Sequence, residues 1–361
     1  IIKNKILAKI EDLDNVIEQI IPIIRKYNED SQLYHLEELS NEQVKQCCDD
    51  KLYGPFICKD CTRDIHECRR VLKSYKCDNK TVIIPEDEDE AQILLLLIDL
   101  ADMIIKGLMV NSNTCPPPQV TVFLSNIKKE IPNQQNSPIG PCNCNSGWSD
   151  GVNVVVYRRE EVFKVIIHEL LHHYQLDTPD RLNKCRSAWV TGAILRDIDK
   201  PILVSETSTE VVAEILNIII YCLHQNQEIN RDLVIDKYLE EIEYSLKVTA
   251  KILKHFGAKV IGDVIALDSC NLENTAKNKI CDGKKDSRQI AERSNVVAYY
   301  LFRSAIMSNG TACDLLLNAM KGNDLQLCTR IDRAVLDEDF ITAINDAITN
   351  VDTSDKSSKM S

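Results

Sequence analysis

The sequence has no basic excess, no legible secretory leader, no long apolar run free of charge and no internal repeat. Lysine and arginine number 43 against 55 aspartates and glutamates, a formal net charge of -12 over 361 residues. Phosphate contact needs a basic surface, so nucleic acid and anionic membrane are set aside as main partners. The most apolar stretch, residues 93–110, carries Asp99, Asp102 and Lys106. A lipid-spanning helix would have to take those charges into hydrocarbon, so the stretch reads as a buried helix and no membrane span is expected. The first residues lead into a charged amphipathic segment rather than an apolar leader with a small-residue cleavage site. The composition, rich in Lys, Ile and Asn, suits a large DNA virus of low GC content, and the expected location is intracellular or virion-associated.

What the chain does have is cysteine, 15 in all. Their odd number and scattered spacing do not make a secreted disulfide framework. Six fall between Cys47 and Cys77, and Cys142 and Cys144 form a second small cluster. Cys58-Lys-Asp-Cys61 is a C-x-x-C pair followed by His66, Cys68 and Cys77. A second, structural zinc at Cys58, Cys61, Cys68 and Cys77 is one reading; disulfides and unpaired buried thiols are the others.

Hydrophobic periodicity predicts an α+β, mainly helical protein. Residues 1–27 place Ile6, Leu7, Ile10, Leu13, Ile17, Ile20, Ile21 and Ile24 on one helical face, with Pro22 expected to kink or end the helix. A long apolar helix is expected from about Ala91 to Val110, after an acidic loop. Cys115-Pro-Pro-Pro118 cannot be helix and suggests a boundary. The expected organisation is an N-terminal helical, Cys-rich region over 1–112, a second domain over 113–350 and a polar tail over 351–361. Val120–Leu124 and Val152–Tyr157 are β-branched runs that read as strands. Helices follow near 160–176, 206–224, 231–256, 288–307 and 338–349.

Within the first of these later helices stands His168-Glu169-Leu-Leu-His172, an H-E-x-x-H pattern in an apolar run. Residues four apart share a helix face about 6 Å apart, so both imidazoles can meet one tetrahedral zinc. Glu169 then lies beside the metal and can act as general base toward the attacking water. The bland reading is an amphipathic helix with surface histidines. Catalytic zinc ordinarily takes three protein ligands. A third histidine six residues after His172 is missing, since that position is Thr178, and Asp177 and Asp180 are poorly placed. The next helix offers Glu206 and Glu210, four apart, though acids in a helix's first turns also simply complement its dipole.

Thr209-Glu210-x-x-Ala213-Glu214 resembles the second motif of the gluzincins, the family of thermolysin-like peptidases and zinc aminopeptidases. The resemblance covers roughly residues 120–224 and implies a zincin-like catalytic domain with a small sheet before the active-site helix. It implies zinc held by His168, His172 and Glu210, with Glu214 orienting a histidine and Glu206 as the rival third ligand. It also implies an edge strand that binds extended peptide, in the place of Val152–Tyr157, and an oxyanion donor. Tyr300 is taken for that donor, with Tyr299 and Arg303 as the other choices. The expected function is zinc-dependent hydrolysis of peptide bonds in a peptide or protein substrate. The alternative is a structural or virion scaffold protein that keeps a zincin-like fold without turnover.

Overall fold

The computed structural model describes residues 2–7, 10–30, 34–68, 73–84, 88–108, 115–175, 204–226, 230–265, 294–320 and 327–351. Thr178, Asp177, Asp180, the tail after Val351 and the side chains of Cys68 and His224 lie outside the described residues.

The chain is mainly helical around one mixed sheet. Helices α1 (Ile2–Leu7) and α2 (Ile10–Asp30) come first, followed by strand β1 (Glu37–Glu38), α3 (Asn41–Lys51) and α4 (Lys59–Cys68). Strands β2 (Lys73–Cys77) and β3 (Lys80–Ile84) form a hairpin, then α5 (Glu88–Leu108) leads to β4 (Gln119–Ser125). A short α6 (Pro141–Cys144) precedes β5 (Gly147–Ser149) and β6 (Asn153–Arg158), and β6 runs into α7 (Val162–His173). Beyond it lie α8 (Val204–Asn226), α9 (Arg231–His255), a π-helical segment Val297–Phe302, α10 (Arg303–Ser308), α11 (Ala312–Met320), α12 (Leu327–Val335) and α13 (Glu338–Asn350).

The strand order is β1-β2-β3-β4-β6-β5, with β3, β4 and β6 parallel and the outer pairings antiparallel. Successive side chains of a strand face opposite sides of a sheet. Val120, Val122, Leu124, Val154 and Val156 accordingly join the large core with α2, α5 and α7, whereas Phe123, Val155 and Tyr157 join a smaller core. That second core is built from Val44, Cys48, Leu52, Ile57, Cys58, Cys61 and Ile65, so α3 and α4 cover the other face. Burial on both faces is why β4 and β6 read as continuous apolar runs rather than alternating ones.

The Cys-rich segment is thus part of the same sheet sandwich. The boundary expected at 112 falls between β3 and β4, which pair in parallel from Lys80 opposite Val120 to Ile83 opposite Phe123. Pro22 does not end the first helix: α2 continues through it to Asp30. The apolar face Leu13, Val16, Ile17, Ile20, Ile24 and Tyr27 is buried along its whole length, and Tyr27 donates to the Leu96 carbonyl of α5 at 2.7 Å. Packing on both sides of the proline outweighs one lost backbone hydrogen bond.

Candidate metal centre and cleft

Helix α7 is apolar almost all round, with Val165, Ile166, Ile167, Leu170 and Leu171 buried, and this places it in the core against β6, α5 and α8. A helix so situated carries polar side chains only where they have partners. Its start, Glu161, has φ 56, a left-handed conformation unfavourable for a residue with a side chain. The Glu161 carboxylate is held there by Lys129 Nζ at 2.5 Å and Lys164 Nζ at 3.1 Å.

Nε2 of His168 and Nε2 of His172 stand 2.9 Å apart. From α8, Oε2 of Glu206 approaches them at 3.4 Å and 3.3 Å. Ligand atoms about 2.0–2.1 Å from a tetrahedral zinc are roughly 3.3–3.4 Å from one another, so the two edges to Glu206 match one face of a zinc tetrahedron and the 2.9 Å edge between the imidazoles is shorter. Glu206 Oε2 is buried and faces the two imidazoles without a well-aligned hydrogen bond, a position a cation would satisfy. These three side chains form a group able to hold a metal ion.

Glu210, the third ligand expected from the gluzincin resemblance, lies elsewhere. Its Oε2 is 2.9 Å from Nδ1 of His168, the nitrogen on the far side of the ring, and its Oε1 meets Lys164 Nζ at 2.6 Å and Arg303 Nη1 at 3.1 Å. One helical turn separates the two glutamates, and the register of α8 against α7 brings Glu206 to the Nε2 pair and Glu210 behind it. Glu214, one turn further, faces Arg303 Nη1 at 3.2 Å and Lys164 Nζ at 3.7 Å rather than a histidine.

The electrostatics of this buried cluster call for a cation. Among the described residues, Lys129, Lys164 and Arg303 face the carboxylates of Glu161, Glu210, Glu214 and Glu241, while Glu169 and Glu206 have the imidazoles of His168 and His172 as their cationic neighbours. The carboxylates outnumber the cations, and protons make up part of the deficit. Burial pushes the Glu169 carboxyl up, and burial with Glu214 close by raises Glu241 to about 8. Burial alone would lower the His168 imidazolium, but the carboxylates of Glu206 and Glu210 overcome it and raise it to about 9. Burial would raise Glu206, and the two imidazoles more than offset this, holding its carboxyl well below the usual range.

A cleft walled by Lys129, Gly147, Glu169, Glu210, Tyr299 and Tyr300 among others reaches His168, while His172 and Glu206 lie behind its lining. The edge of the sheet at the cleft is β5, not β6. Val152–Tyr157 was expected to be the edge, but β6 is paired on both sides, by β4 and β5. Gly147 of β5 passes so close to α7 that a Cβ there would stand 2.8 Å from Val165 Cγ1 and 2.9 Å from both Glu169 Oε1 and the Val155 carbonyl. Tyr299 stands edge-on to His168 with ring centroids 6.0 Å apart. Tyr300 is 5% exposed, with the Arg303 guanidinium over its ring at 5.6 Å. Arg303 itself is bound to Glu210, Glu214 and Ser245 and does not face the cleft opening. Both tyrosines belong to the π-helical segment, a form concentrated at functional sites.

The sequence signal missed β5, which is only three residues long, and the β2–β3 hairpin. The hairpin's one local signal is the Asp78-Asn79 pair before the β-branched run Thr81–Ile84, with Asp78 at φ 49 in the tight turn. Of the expected Cys58, Cys61, Cys68 and Cys77 group, Cys77 ends β2, while Cys58 and Cys61 are buried in the small core. The chain matches no protein-family model, curated protein or solved structure.

Proposed function

We propose that the protein is a zinc-dependent peptidase with a zincin-like arrangement, in which His168, His172 and Glu206 hold the metal. The observation that carries this reading is the triangle of 2.9, 3.4 and 3.3 Å between the three ligand atoms, with the buried Glu206 Oε2 at one corner. Zinc in such a site supplies Lewis acidity, lowering the pKa of a water and polarising a carbonyl.

The chain's own residues do the rest. Glu169, on the cleft side of the ligand helix, accepts the proton of the attacking water and returns it to the leaving amine. Its burial keeps it a stronger base than a solvated glutamate. The exposed edge of β5, directly above Glu169, pairs with an extended peptide through backbone hydrogen bonds. Tyr299, whose phenol burial keeps protonated, donates to the oxyanion beside His168. Glu210 is a positioning residue: its carboxylate at Nδ1 of His168 leaves Nε2 for the metal.

Elemental zinc analysis of wild type, His172→Ala and Glu206→Ala tests the ligand set. Each variant is expected to lose one equivalent of zinc and all hydrolysis of a mixed peptide library. Zinc retained in full by Glu206→Ala would reject the assignment.

A further inference from the structure

Arg158 is fully buried, and its guanidinium is bonded to neutral carbonyls: Nε to Asn145 at 3.0 Å, Nη1 to Ile127 at 2.7 Å and Nη2 to Cys142 at 2.6 Å. Among the described residues no carboxylate reaches it within ion-pair distance. A buried guanidinium without an anion is costly, so a negative charge nearby is called for. The groups that face it are thiols.

Cys58 stands immediately before α4, Cys61 lies in the first turn of that helix, and Cys142 lies in the first turn of α6. The Cys58 thiol is hydrogen-bonded to both Cys61 and Cys142, and the Cys142 sulfur also faces the backbone amides of Lys59 and Asp60. All three cysteines are free, and Cys58 Sγ, a carboxylate oxygen of Asp60 and Cys142 Sγ lie within 4.8 Å of one another, the exposed Asp60 carboxylate also pairing with Arg63. Soft thiolates from a C-x-x-C pair and a third, distant cysteine, with a buried cation to balance their charge, are a donor set for zinc rather than for calcium or magnesium.

We propose that Cys58, Cys142 and Asp60 bind a second, structural zinc ion, with Cys61, the hydrogen-bond partner of Cys58, turning in as the fourth ligand and Arg158 balancing the thiolate charge. The C-x-x-C seen in the sequence is retained, while its partner comes from 81 residues downstream of Cys61 instead of from Cys68 or Cys77. The site joins the start of α4 to the loop before β5. That joint is already bridged by Asn145 Nδ2 to the Phe56 carbonyl at 3.2 Å and Tyr157 Oη to the same carbonyl at 3.1 Å. The ion therefore pins the edge strand to the helices behind the sheet. The proposal does not depend on the peptidase reading, because its ligands lie on the opposite face of the sheet from His168.

The test is zinc stoichiometry on full-length protein prepared under reducing conditions, together with cobalt substitution to look for thiolate-to-metal charge-transfer absorption. Wild type should bind about two zinc ions per chain, and Cys142→Ser and Cys58→Ser should each lose one equivalent and the charge-transfer band. Cys48→Ser, buried in the same core but outside the ligand set, should keep both. Should the cysteine variants fail to fold, His172→Ala decides the matter, because it should retain about one zinc ion and the full cobalt–thiolate band. His172→Ala protein free of zinc and without that band would overturn the proposal.

Discussion

Oε2 of Glu210 stands 2.9 Å from Nδ1 of His168, so this glutamate meets the ring nitrogen that faces away from His172. Glu206, one turn earlier on the same helix, meets the other nitrogen. The two variants should separate cleanly. Glu206→Gln removes a ligand and should abolish zinc binding at this site. Glu210→Gln removes only the partner of a ligand and should weaken zinc about 10- to 100-fold while leaving the saturated stoichiometry intact. Competition with a fluorescent chelator measures both, and equal losses would contradict the division of roles.

Gly147 is required by a close approach rather than by its backbone angles. A methyl group there meets a backbone carbonyl at 2.9 Å, which cannot swing aside as a side-chain tip can. Gly147→Ala should push β5 off α7, at a cost of about 1–3 kcal/mol in stability, and displace Glu169. Denaturant unfolding together with peptide turnover checks this. A variant with wild-type stability and rate would show that β5 does not hold Glu169 in place.

The fold was legible in the sequence where one element carries its own signal. His168, Glu169 and His172 share one helix, and their proximity follows from helical geometry alone. The choice between Glu206 and Glu210 depends on how α8 is rotated against α7, a tertiary fact with no local trace, and the fold brings Glu206, the rival candidate, to the Nε2 pair and Glu210 to Nδ1 of His168. Val152–Tyr157 was visible as a strand because Val154–Tyr157 is an unbroken run of β-branched and aromatic residues. Its place inside the sheet was not, since the three-residue β5 beyond it, Gly-Trp-Ser, has too little periodicity to register. In the same way, Cys58 and Cys61 announced a pair, but only folding brings Cys142 to them.

Tyr299 and Tyr300 are adjacent in sequence yet differ in what they face. Tyr299→Phe should lower kcat about 10²- to 10³-fold with little change in KM, the loss expected for an oxyanion donor. Tyr300→Phe, which alters a ring packed beneath Arg303, should act mainly on stability. Steady-state kinetics on the two variants decides it, and a larger kcat loss at Tyr300 would restore that residue as the donor.

Glu241 provides a pH test away from the metal ligands. Burial, reinforced by Glu214, raises its carboxyl from 4.5 to about 8, although Arg303 lies 3.4 Å away. A group whose folded pKa exceeds its unfolded value contributes stability that is full below the unfolded pKa and is lost as pH rises through the folded one. Glu241→Gln stays neutral throughout. Its Tm should therefore gain on wild type progressively between about pH 5 and pH 8. Parallel Tm profiles across that window would show that Glu241 is not held protonated.

The most direct test of the peptidase account is turnover of a mixed peptide library by zinc-loaded wild type and zinc-loaded Glu169→Gln, with zinc content measured in the same samples. The account predicts cleavage by wild type and a loss of about 10²- to 10⁴-fold in the variant at undiminished zinc. Equal rates in the two proteins, or zinc-replete wild type that cleaves nothing, would contradict it.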